Sequence, residues 1–179
     1  MTDKKDIKKL LEKVDKVTKQ KGLDLSSGED LSIGVMNLIS IEEHLFFTSQ
    51  KTGKPQYLDL LNEVRLIRTE LLKKIIKDYE GEVWCISKHL LSASMRVMEV
   101  GTKELKKGNK KEAWELFEKS YKLYSLFWAI NLDVIKMDDV KMSDSKVNFI
   151  DETPKKKASS SVFDKIGNLV QKAVDCCKE

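Results

Sequence analysis

The stretch PQYLDLLNEVRLIRTELLKKIIKDY, residues 55–79, decides the fold. Tyr57, Leu60, Leu61, Val64, Leu71, Ile75 and Tyr79 recur at the three-and-four spacing of one helix face. The opening proline suits a first turn, where its missing N–H goes unused. Gly81 then marks a tight reversal. Residues 82–107 carry a second helical pattern, closing on Lys103, Lys106, Lys107 and Gly108, a favourable C-terminal sequence. Long amphipathic helices joined by so short a link must fold back on each other.

Working outward, Asn109 and Glu112 make a capping-box-like start for a helix reaching about Ile135. On the other side, a helix capped by Asp30 or Ser27 runs to about Gln50, before the break at Thr52-Gly53-Lys54-Pro55. The expectation is an all-α protein: an antiparallel up-down four-helix bundle with an additional N-terminal helix and a linker-tethered C-terminal amphipathic helix. Residues 1–24 form the N-terminal helix, with Ile7, Leu10, Leu11, Val14 and Val17 at helical spacing. Residues 25–136 form the bundle core. Residues 137–160, polar and lysine/serine-rich, have the composition of a flexible linker. Residues 161–179 form the terminal amphipathic helix.

Composition agrees with this layout. Only two prolines and eight glycines occur in 179 residues, which disfavours a turn-rich β fold. The net charge of +4 arises from 33 basic and 29 acidic residues that are interspersed, which argues against nucleic acid as a partner; phosphate backbones need a concentrated basic face. Cys85, Cys176 and Cys177, odd in number and two of them adjacent, make no disulfide framework. With no apolar signal region after the opening Met-Thr-Asp-Lys-Lys and no membrane-length apolar run, the expected setting is cytoplasmic.

Polar residues interrupt the apolar lines at defined points. On the helix before Pro55 the inner line reads Leu31, Val35, Leu38, Glu42, Leu45; on the next it reads Tyr57, Leu61, Val64, Arg68, Leu71 or Leu72, Ile75. The helix after Asn109 places Ala113, Phe117, Ser120, Tyr124, Phe127 and Asn131 on its inner line. At a rise of about 1.5 Å per residue, Glu42 lies roughly 13 Å below the hairpin loops, Ser94 and Arg68 roughly 20 Å and Tyr124 roughly 22 Å. These four are expected to share a layer, either as a core polar network that fixes register or as a pocket for a small anion or polar ligand. A buried carboxylate or guanidinium needs a partner, so Glu42 and Arg68 are expected to pair.

A second polar stripe, Cys85, His89, Ser92, Arg96, Glu99 and Lys103, follows one face of the fourth helix, away from the apolar side assigned to Val83, Ile86, Leu90, Val97, Met98 and Leu105. Cys85 and His89, four apart, point the same way as metal donors would. Neither histidine has a glutamate three residues before it, so the di-metal bundle pattern is missing. What remains as an alternative is a cruder divalent-metal site drawn from Glu43, His44, Glu63, Cys85, His89 and Glu99, with Glu118 at similar depth. No cofactor is expected otherwise. No phosphate loop, zinc-type cysteine pair or acid–base carboxylate motif occurs, which leaves no positive case for an enzyme.

The apolar content exceeds what four helices can hide: Ile33, Met36, Ile39, Ile41, Phe46 and Phe47 surround the inner line of one helix, and Trp114, Tyr121 and Trp128 make a second stripe on another. A homo-oligomer or a protein partner is therefore expected. The terminal segment carries Phe163, Ile166, Leu169, Val170, Ala173 and Val174 on one side, a docking helix for a protein groove. Lys155–Lys157 beside it makes only a marginal anchor for an anionic membrane surface. The expected function is that of a non-enzymatic helical-bundle protein in protein–protein interaction or self-assembly, with a metal- or small-ligand-binding bundle as the alternative.

Overall fold

Asp24 opens the longest helix. Its carboxylate accepts hydrogen bonds from the Ser26 amide and the Ser27 hydroxyl, satisfying donors that the first turn leaves free. These bonds hold the carboxyl below the usual aspartate range, the Ser27 hydroxyl contributing most. The helix therefore starts at Leu25, before either expected cap, and Ser26-Ser27-Gly28 is helical rather than an interruption. In this computed structural model, residues 4–77 and 81–135 are described. The expected linker and the C-terminal helix with Phe163, Ile166, Leu169, Val170 and Val174 lie outside them.

The described residues form five helices and no strand: α1 Lys4–Lys21, α2 Leu25–Thr52, α3 Gln56–Ile75, α4 Glu82–Lys106 and α5 Lys110–Asn131. The structure is thus all-α. α2 packs along α3 and α4 packs along α5, two hairpins closed by the short turns at Gly53 and Gly108. The hairpins meet chiefly where α2 lies against α4, and no other helix pair packs to a comparable extent. No helix among the described residues is long and apolar enough to cross a membrane.

The core gathers at the end away from both turns. Val35, Met36, Leu72, Ile75, Ile76, Leu91, Phe127, Trp128, Ala129 and Leu132 are buried there, and Val14 of α1 completes the cluster. α1 is tied across this end by Lys13 Nζ, which donates to the Asp133 carbonyl at 2.6 Å, and by Lys21 Nζ, which donates to the Asn131 carbonyl at 3.2 Å. Toward the turns, Phe46, Phe47, Leu58, Leu60, Leu105 and Trp114 keep substantial exposure, Trp114 as much as 68%.

On α4 the inward face differs from the one expected. Ser87, Leu91, Ser94 and Gly101 are buried, whereas Met98 and Leu105 are exposed. Small residues face inward because α4 and α5 approach closely. Asn131 Nδ2 donates to Ser87 Oγ at 2.9 Å, Ser94 and Ser120 exchange hydroxyl-to-carbonyl bonds, and a Cβ on Gly101 would meet the Phe117 ring at 2.6 Å. Trp128, expected on a peripheral stripe, is fully buried, and Gly28 admits its indole edge, which a Cβ would meet at 3.1 Å. A hydrophobicity pattern ranks the large side chains; close helix approach selects the small ones.

Candidate functional site

Glu42 on α2 is 8% exposed and Arg68 on α3 is 6% exposed. Arg68 Nε donates to Glu42 Oε1 at 2.5 Å, and Arg65 Nε, one helical turn earlier on α3, donates to Oε2 at 3.0 Å. One carboxylate thus bridges two guanidiniums. Two positive charges flank one negative charge, a local surplus that leaves the outer amino groups of both arginines without a hydrogen-bond acceptor among the described residues. Arg65 was not anticipated, although its place three residues before Arg68 puts it on the same helix face.

This cluster forms part of a cleft of about 610 Å³. α3 supplies Leu61, Arg65 and Arg68 as one wall; α4 supplies Lys88, His89 and Ser92 as the other; Ile39, Glu42, Glu43 and Phe46 of α2 form the floor. His89 and Ser92 of the polar stripe, with Lys88 beside them, are therefore the far wall of a polar cleft. Lys88, His89 and Ser92 make no side-chain hydrogen bond or ion pair with another described residue. Arg96, further along the stripe, bonds the Glu43 carboxylate through Nη2 and ties α4 to α2.

The other two members of the expected layer lie elsewhere. Ser94 Oγ donates to the Ser120 carbonyl at 2.9 Å, and the Tyr124 hydroxyl shares a 2.8 Å hydrogen bond with Ser32 Oγ. Burial raises the Tyr124 phenol above the usual tyrosine range, the Ser32 hydrogen bond acting against it. Axial height placed Ser94 and Tyr124 level with Arg68, but they lie on the opposite side of the α2–α4 contact. There they border a second cleft of about 490 Å³, lined by Ile33, Met36 and Asn37 of α2, Ser94, Met95 and Met98 of α4, and Phe117, Ser120, Tyr121 and Tyr124 of α5. Its lining is almost wholly apolar, with three methionines and three aromatic rings.

The residues named for a divalent metal are dispersed. Glu43 is ion-paired with Arg96; His44, Glu63, Cys85 and His89 are exposed; Glu99 is half-buried. Among the described residues, no three His, Cys, Asp or Glu side chains come together as a metal-ion group. The structure thus brings Glu42 and Arg68 together, adds Arg65, Lys88, His89 and Ser92 around them, and separates Ser94 and Tyr124. Compared with known protein families, curated proteins and solved structures, the chain matches none.

Proposed function

We propose that this protein is a non-catalytic protein-association module, an up-down four-helix bundle whose apolar α2/α4/α5 cleft receives an amphipathic helix. The observation that carries the proposal is the lining of that cleft. Met36, Met95 and Met98 lie among Ile33, Phe117 and Tyr121, and the Asn37, Ser94, Ser120 and Tyr124 polar groups of the lining are hydrogen-bonded within the protein. Thioether side chains rotate freely and fill irregular gaps, so a methionine-lined groove accommodates helix anchors.

The occupant is the chain's own segment 161–174, donated by the same or a second copy. Phe163, Ile166, Val170 and Val174 repeat at the spacing of a groove-binding helix face. Twenty-five residues separate Ile135 from residue 161, and a flexible tether of that length spans roughly 25–30 Å. Phe117 and Tyr121 lie roughly 20–27 Å from Ile135 along α5 at the helical rise. Reach and tether length therefore match, a condition that raises the effective concentration of the segment to the millimolar range.

The test combines light scattering with peptide binding. A chain lacking residues 155–179 should bind a synthetic 161–175 peptide, and Met95→Glu in the cleft should abolish that binding. The full-length chain should bind the added peptide about tenfold more weakly, because its own segment competes. Absence of peptide binding by the truncated chain, together with a monomer mass for both chains, would remove the proposal.

A further inference from the structure

The polar cleft holds more cations than its structural pairings use. Glu43 is neutralised by Arg96. That leaves Arg65, Arg68 and Lys88 facing the single carboxylate of Glu42, a surplus of two positive charges in one cleft. Register alone does not account for Lys88, His89 and Ser92, which stand on α4 without partners among the described residues. A buried pair needs one guanidinium per carboxylate, and Arg68 already supplies it.

From this we infer that the α3/α4 cleft is a binding site for a small phosphate monoester. A monoester carries about −1.5 to −2 charge at neutral pH, the amount that balances the surplus. Its tetrahedral oxygens accept from several directions. Arg65 and Arg68 line one wall and Lys88 and Ser92 the other, so guanidinium, ammonium and hydroxyl donors are available to it from both sides. Phe46 and Leu61 in the lining give the organic part of the ester an apolar surface. The volume of about 610 Å³ lies in the range of small-molecule sites. Glu42 keeps both guanidiniums in place and offsets one of the three positive charges of the empty site.

This inference stands apart from the apolar cleft and its occupant. The experiment titrates the full chain with phenyl phosphate, in phosphate-free buffer at fixed ionic strength, by isothermal calorimetry. One saturable site is expected, with phenyl phosphate bound more tightly than benzoate of single charge. Lys88→Ala should weaken binding about tenfold, since a charge-assisted hydrogen bond to the phosphate is lost. Lys88 is half-buried on α4 and makes no side-chain bond within the described residues, so the variant is expected to fold, which its circular dichroism checks. Lys119→Ala on α5 removes the same charge away from the cleft and should leave the affinity within about twofold at such ionic strength. Ser92→Ala should weaken binding less than Lys88→Ala. Lack of saturation at millimolar phenyl phosphate, equal binding of benzoate, or equal loss in Lys88→Ala and Lys119→Ala would each overturn the assignment.

Discussion

Glu42 concentrates most of the electrostatic interest of the molecule, because its two arginines do unequal work. Arg68 is almost wholly enclosed, so neutralising Glu42 strands a buried guanidinium, and removing Arg68 leaves the buried Glu42 carboxylate with Arg65 as its one remaining ion-pair partner. Arg65 has a side chain 55% exposed and is screened by water. Glu42→Gln and Arg68→Met are each expected to destabilise by about 3 kcal/mol. Arg65→Gln is expected to cost below about 1 kcal/mol. Urea unfolding of the Glu42→Gln/Arg68→Met cycle should show a coupling of roughly 1–3 kcal/mol, and additive single effects would mean the two groups act independently. The pair was legible in the sequence because each residue interrupts an otherwise apolar line at similar depth. Ser94 and Tyr124 were misassigned to it because helical rise gives height along an axis but says nothing about which side of a neighbour a residue faces.

Among the elements, α4 departs furthest from its pattern. The spacing of Val83, Ile86, Leu90 and Val97 is a sound helical signature, and the helix is there. The side that packs is nevertheless lined by Ser87, Ser94 and Gly101. Two glycines in the interiors of helices expose the difference. A Cβ at Gly34 of α2 meets nothing within 4 Å, so Gly34→Ala is expected to stabilise by about 0.5–1 kcal/mol through helix propensity alone. A Cβ at Gly101 lands against two carbons of the Phe117 ring, at 2.6 and 2.8 Å. The same propensity gain is then outweighed by overpacking, and Gly101→Ala is expected to destabilise by roughly 1–2 kcal/mol. Opposite shifts of the thermal midpoint in the two variants check this; a stabilised Gly101→Ala would show that Phe117 turns away freely. The elements themselves were readable from periodicity and turn residues. Their inner faces were readable on α3, where Leu61, Arg68, Leu72 and Ile75 are buried, only in part on α2, where Gly28, Ser32 and Ser49 are buried beside Val35 and Glu42, and not on α4, where polar small residues meet at close range.

At the scale of the whole molecule, α1 belongs to the core although the sequence treats it as a separate amphipathic helix. Val14 is buried in the same cluster as Trp128 and Leu72, with Leu10 and Leu11 packed against it. Val14→Asp places a charge in that cluster and should release α1, lowering stability by roughly 3 kcal/mol. Denaturant unfolding together with dye binding to the uncovered core checks this, and an unchanged midpoint would mean that α1 adds nothing to the core. The helical class and hairpin turns follow from local patterns. How the two hairpins meet depends on side-chain interlocking between distant segments, which periodicity does not encode.

The placement of the core has a mechanical consequence. With the apolar cluster and α1 clamping one end, the two hairpins resemble the arms of tongs whose pivot lies near Phe127 and Trp128. The arms meet chiefly along α2 and α4, and each cleft lies to one side of that line. A small rocking of one arm about the pivot would widen one cleft while narrowing the other, leaving the clamped end undisturbed. Occupancy on one side would then be felt on the opposite side as a change of width.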